Sequence, residues 1–195
     1  MNRACPHREN STTMQIQLYL SAEVQSHFGI SPQEIKSDLQ TPLHADWKAL
    51  WYCEHLISTD DGLEHLYIFS NALTHYALIM VDRDRDFQSL LGSFQQHFAL
   101  ALHEHGQAFA TQAIEAEVEL LNGQAPSRRL QFQTDHAIEL LLANDSDIDA
   151  AEEFLNQFEN FHFPKSPSDA MRERLSPTHT QAEATILPFQ HKRAK

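Results

Sequence analysis

Between Glu64 and Arg83 the chain reads EHLYIFSNALTHYALIMVDR, two runs of aromatic, aliphatic and β-branched residues on either side of a polar break at Ser70-Asn71. Strand formers at that density with turn chemistry between them predict a β-hairpin. The second run, Tyr76 to Val81, is apolar at almost every position, so neither of its faces can be left in water. The hairpin is therefore expected in the middle of a sheet with helices over it. The fold class that follows is α+β: a small, mostly antiparallel sheet with a central β-hairpin, covered by several helices.

The rest of the chain supplies the partners. MQIQLYL, Met14 to Leu20, alternates as a half-buried strand should, and Ser21 caps a short helix, AEVQSHF, that Gly29 ends. Ser31-Pro32-Gln33-Glu34 predicts the start of a brief helix that stops before Pro42. His44 to Ser58 has a mixed pattern and is expected as a helix or irregular connection, with Trp47 and Trp51 in the core. Phe87 to His105 is an amphipathic helix with Phe87, Leu90, Leu91, Phe94, Phe98 and Leu102 on one stripe, capped by Asp86 and ended by Gly106. Ala108 to Leu121 predicts a further helix, and Arg128 to Gln133 a short strand ahead of a helical DHAIELLLAN. Ser146 and Asp149 have capping-box spacing at the head of a last helix, docked by Phe154, Leu155 and Phe158. Residues 1–13 read as a flexible leader, 14–163 as a single α+β domain, and 164–195 as a mobile or loosely docked tail.

Charge narrows the partners. Met14 to Phe163 holds six Lys and Arg against 23 Asp and Glu within a chain of net charge −13. Such a field repels phosphate backbones and lacks the basic stripe that nucleic-acid binders use, so direct nucleic-acid binding is disfavoured. A basic protein partner is the complementary expectation. Two cysteines, Cys5 and Cys53, are too few for a disulfide framework and are expected reduced. No apolar run is long enough to span a bilayer, so a cytoplasmic setting without membrane contact is expected.

The chain holds 13 histidines, yet His97, His103 and His105 point about 240° and about 200° apart around a helix and do not converge. His55, His65 and His75 recur every ten residues, which matters only if the fold brings them together. Asp145, Asp147 and Asp149 resemble half a calcium loop, but Ala150 and Asn156 stand where glycine and glutamate are needed, which favours helix capping. Asp82, Asp84 and Asp86 alternate with Arg83 and Arg85 and are expected to pair with them. Cys53 and His55 diverge if their segment is helical, and Glu115 and Glu119 would share an exposed helical face. GxSxG, P-loop and GxGxxG motifs are all absent from the 195 residues.

Local strings resemble an uncharacterised bacterial family, a domain of unknown function found alone or fused behind another plasmid-borne domain. The resemblance spans Met14 to Phe163. It rests on Trp51 with Leu56 before the hairpin, LYIFSN ending at Asn71, Thr74 and Tyr76 opening the next strand, the long helix after it, and Thr134 ten residues ahead of Asn144-Asp145. The family pattern has an arginine where this chain has Ala137, a glycine at Leu141, and a basic turn at Thr59-Asp60-Asp61. The resemblance implies no activity, and no functional residue is carried over from it.

The residues name no function, and the expectation they leave is a non-enzymatic, cytoplasmic binding or protein-interaction domain with an acidic body. Two alternatives stand beside it: a hydrolase-like enzyme with an unrecognised, metal-dependent site, and a regulator acting through a basic or nucleic-acid-binding partner. No catalytic, cofactor-binding or metal residue is assigned, and no cofactor is expected. The positions at which polar groups are expected to gather are Trp51, Asn71, Thr74, Asn144 and Asp145.

Overall fold

The computed structural model describes residues 14–35, 48, 50–58, 64–107, 110–122, 128–143, 147–159 and 165–175. The chain opens with β1 (Gln15–Leu20) and α1 (Ala22–Phe28), then β2 (Leu50–Ser58), β3 (His65–Asn71) and β4 (Ala77–Asp82). It continues with α2 (Phe87–Glu104), α3 (Ala110–Ile114), β5 (Glu117–Asn122), α4 (Arg128–Ala143), α5 (Ile148–Gln157) and α6 (Pro167–Leu175). The five strands form one mixed sheet in the order β4-β3-β2-β1-β5. β2, β3 and β4 pair antiparallel, whereas β1 is parallel to both β2 and β5. An α+β architecture with helices packed on the sheet is thus present, its antiparallel half joined to a parallel half.

The predicted hairpin is β3–β4. It stands at one edge of the sheet rather than in its middle, and its apolar run has another cause: helices cover both faces. On one face Trp51, Tyr67, Phe69 and Met80 pack with Val24 of α1 and Phe94, Phe98 and Leu102 of α2. On the other, Leu56, Leu66, Ile68 and Ile79 meet Ala137 and Leu141 of α4 and Ala151 and Leu155 of α5. Double coverage makes an edge hairpin as apolar as a central one.

The bare edge of β4 is closed by side chains of α5. Asn156 accepts from the Ala77 N–H and donates to the Ala77 carbonyl, both at 2.8 Å, and Glu152 accepts from the Ile79 N–H at 2.7 Å. An amide that both gives and receives substitutes for the missing strand and blocks edge-to-edge pairing.

Other expectations need correction. Leu50–Ser58, expected as helix or irregular chain, is the central strand; its charged Glu54 and His55 and a bulge between His55 and Ile57 hide the alternation. Ala108 to Leu121 is not one helix: α3 ends at Ile114 and β5 starts at Glu117, with Glu117 and Glu119 on one side and Val118 and Leu120 on the other. RRLQFQ is the first turn and a half of α4, which buries Leu130, Gln133, Ala137 and Leu141 at helical spacing. Pro32 to Glu34 form a turn and not a helix among the described residues. Asp147, not Ser146, caps α5, accepting from Ala150 N–H at 3.0 Å. Phe154 and Phe158 stay more than a third exposed, and Ala151, Leu155 and Asn156 do the docking. Within the stretch expected as a loose tail, α6 buries Met171 completely. Strand β1, helix α1 with its Ser21 cap and left-handed Gly29, and helix α2 with its Asp86 cap lie where their sequences place them.

Candidate functional site

The parallel half of the sheet creates a recess. β1 and β2 run side by side until Leu20 pairs with Cys53; β1 then gives way to α1, while β2 continues to Ser58. α1 lies over one face at this point and α4 over the other, so the space beyond the carboxyl end of β1 is walled on both sides. Ligands in sheets with parallel strands favour this end. A cleft of about 500 Å³ opens there, lined by Ser21 and Glu23 of the α1 start, Glu54 and His55 of β2, and Thr134 and Asp135 of α4. No described residue lining it is a lysine or arginine.

Glu54 is the inner carboxylate. Thr134 Oγ1 donates to its Oε2 at 2.6 Å. Burial raises its pKa, the Thr134 hydrogen bond opposes that rise, and the Asp135 charge adds to it. Glu54 is thus a carboxylate short of positive charge, beside two others.

On the opposite side of β2 a hydrogen-bonded chain leads inward. Glu23 Oε1 lies 3.1 Å from His55 Nδ1, His55 Nε2 lies 3.2 Å from Ser58 Oγ, and Ser58 Oγ lies 2.7 Å from His65 Nδ1. Residues three apart on a regular strand face opposite ways. Here the bulge puts both Leu56 and Ile57 on the α4 side, so that His55 and Ser58 emerge together on the α1 side, opposite Tyr67 and His65. The His27 ring lies 4.3 Å from that of His65 and 6.4 Å from that of His55. Burial lowers the pKa of both His27 and His65, with the neighbouring histidines and Arg85 adding to the effect. Four atoms in this cluster are buried without a hydrogen-bond partner: His27 Nε2, His65 Nε2, Tyr67 Oη and Asp82 Oδ2. Asp82 reaches it by pairing with His65 across β3–β4.

The ten-residue histidine recurrence is therefore half realised. His55 and His65 meet at 5.8 Å between ring centroids, His75 lies at the far end of β3, and His27, which the sequence pattern did not single out, takes the third place. Among the described residues no group of three or more His, Cys, Asp or Glu side chains is arranged to hold a metal ion. Cys53 and His55 share a face because their segment is a strand, but Cys53 is a free, fully buried thiol whose pKa burial pushes far up, so it is not a nucleophile. Glu119 is in β5, where it accepts from Gln17 Nε2 at 2.9 Å, and forms no helical pair with Glu115. Arg83 pairs with Glu64 at 2.7 Å, while Asp82 accepts from the Asp84 N–H and Asp86 caps α2.

Of the positions at which polar groups were expected to gather, Trp51, Asn71 and Thr74 do come together, at the other end of β3. Trp51 is fully buried against Phe94 and Phe98, with its indole N–H on the Lys48 carbonyl at 2.8 Å. Asn71 Oδ1 accepts from Leu73 N–H, Thr74 N–H and Thr74 Oγ1, and its amide donates to the Leu50 carbonyl. These bonds build the β3–β4 turn. Asn144 and Asp145 lie outside the described residues. No family model, curated protein or solved structure matches the chain.

Proposed function

We propose that the chain is a binding domain whose acidic cleft receives a cationic group, a lysine or arginine side chain, from a protein partner. One observation carries this reading: Glu23, Glu54 and Asp135 line one recess without a lysine or arginine among its described walls. A guanidinium or ammonium there would meet carboxylates in a partly desolvated setting, where charge-assisted hydrogen bonds are strongest. It would also offset the burial and like-charge repulsion that raise the Glu54 pKa. The acidic surface around the cleft steers such a partner and repels nucleic acid. A cytoplasmic setting belongs to the same proposal and is supported by the free thiol of Cys53. The described residues contain no helix long and apolar enough to cross a membrane. The family resemblance contributes no ligand.

Calorimetric titration of the full chain with an arginine-rich peptide tests the reading. Binding that weakens with salt is expected, with Glu54→Gln and Asp135→Asn each reducing affinity by about tenfold, the worth of one charge-assisted hydrogen bond. Binding indifferent to both substitutions, or no binding at low ionic strength, would remove the cleft from consideration.

A further inference from the structure

We propose that Ser58 is an acylatable nucleophile, with His55 as its general base, Glu23 as the residue that positions His55, and carboxylic esters as the substrate class. The inference goes beyond cation binding and does not depend on it. Its ground is the order of atoms along the chain already described: carboxylate to Nδ1, Nε2 to hydroxyl, with no gap wider than 3.2 Å. That order defines a serine–histidine–acid triad on any fold, since its members are recognised by geometry and role. Glu23 fixes the proton on His55 Nδ1 and leaves Nε2 free to accept from Ser58. His65 Nδ1 lies 2.7 Å from Ser58 Oγ, and burial lowers its pKa; with its proton on Nδ1 it donates to Ser58 and leaves the hydroxyl hydrogen to His55.

Ser58 and Glu23 are exposed, Glu23 at 70%, whereas the His55 side chain between them is only 15% accessible. The bulge is the device that makes the pairing possible, because a regular β2 would put His55 and Ser58 on opposite faces; bulges recur beside active sites for this reason.

In the reaction, Ser58 Oγ bonds to the ester carbonyl carbon as its proton passes to His55 Nε2. The C–O bond to the alcohol then breaks, and the departing oxygen takes that proton. A water molecule attacks the acyl-serine, gives its proton to His55, and the carboxylic acid leaves as Ser58 Oγ is reprotonated. Glu23 stabilises the imidazolium in both halves and touches no substrate atom.

The test is labelling of the intact chain with a fluorophosphonate, which forms an Oγ–P bond to an activated serine and expels fluoride, followed by intact mass and peptide mapping. A single adduct on Ser58 is expected. Ser58→Ala should abolish it, and His55→Ala should slow it by about 100-fold, the usual worth of a positioned base. Glu23→Gln should slow it at least about tenfold while Glu23→Asp recovers part of the rate, a rescue that loss of structure would not give. p-Nitrophenyl acetate hydrolysis should follow the same ranking. No adduct on the folded native chain, an adduct confined to other serines, or an unchanged rate in His55→Ala would overturn the proposal.

Discussion

Asn71 and the His65 cluster, at the two ends of β3, treat buried polar groups in opposite ways, although Ser70 Oγ beside Asn71 and Gln133 Oε1, whose amide donates to the His75 carbonyl, are also buried without a hydrogen-bond partner. At the Asn71 end the side chain uses its oxygen for three donors and its amide for the Leu50 carbonyl, and the backbone adds Asn71 N–H to Tyr76 O at 2.9 Å and His75 N–H to Asn71 O at 3.0 Å. At the His65 end, His27, His65, Tyr67 and Asp82 each keep a buried atom without a partner. In this knot the Asn71 side chain spends both its oxygen and its amide on specifying the turn. An unsatisfied cluster weakens the fold and is retained where its donors and acceptors serve another purpose. The contrast assigns a structural role to the Asn71 side chain and agrees with the chemistry proposed for the His65 cluster.

Breaking the knot should have the largest effect. Asn71→Leu removes the acceptor of Leu73 N–H, Thr74 N–H and the Thr74 hydroxyl in a site that is fully buried. With roughly 1–3 kcal/mol for each buried group left unpaired and partial relaxation of the turn, a loss of about 3–5 kcal/mol is expected in urea denaturation. Asn156→Leu should come next, at about 2–3 kcal/mol, because it strips both the donor and the acceptor from Ala77 on the edge of β4. That variant should also associate at high concentration, as light scattering would show, since the edge of β4 is uncovered.

The knot end holds a histidine with a shifted pKa. Burial, with Arg129 assisting, pushes the His75 pKa down to about 4 from its ordinary 6.5. The unfolded chain therefore binds a proton that the native chain refuses between those values, and stability should fall as pH drops through 6.5 and level off below about 4. The full shift corresponds to on the order of 3 kcal/mol, which partial exposure reduces to about 2. His75 occupies left-handed backbone at φ 60, a conformation asparagine tolerates, so His75→Asn should remove this part of the pH slope without straining the turn. Denaturation midpoints from pH 4 to 7 in the two proteins would decide; parallel curves would mean that His75 titrates normally.

Legibility in the sequence followed the same division between regular and irregular backbone. β1, α1 and α2 carry clean periods and ordinary caps, and the hairpin two apolar runs about a polar break; their existence was readable, the hairpin's place at the sheet edge was not. β2 was not, because the bulge places Leu56 and Ile57 on one face and breaks the two-residue period where Glu54 and His55 already interrupt the apolar run. The same bulge hid the site: it brings His55 to Ser58, while the pairing of β2 with β3 brings in His65 and α1 brings in Glu23 and His27. Of the histidine recurrence, the fold brings His55 and His65 to 5.8 Å between ring centroids and leaves His75 at the far end of β3. Glu117 to Leu120 did alternate, and Leu130, Gln133, Ala137 and Leu141 did recur at three and four; both patterns were legible but overlapped competing ones of the other period.

The smallest predicted effect tests the contrast most directly, because its sign is reversed. Tyr67 is fully buried, its hydroxyl has no hydrogen-bond partner, and burial followed by the Asp82 charge raises its pKa strongly. Tyr67→Phe keeps the ring against Phe28 at 5.4 Å and His55 at 5.3 Å while removing only the unpaired oxygen. A hydroxyl buried without a hydrogen bond is a cost, so its deletion should stabilise the native state by about 1 kcal/mol, where the comparable deletion at Asn71 destabilises it. Matched urea titrations of the two variants place both ends of one strand on one scale. A Tyr67→Phe protein that loses stability would mean that the hydroxyl holds an ordered water, and the His65 end would then be a second structural knot.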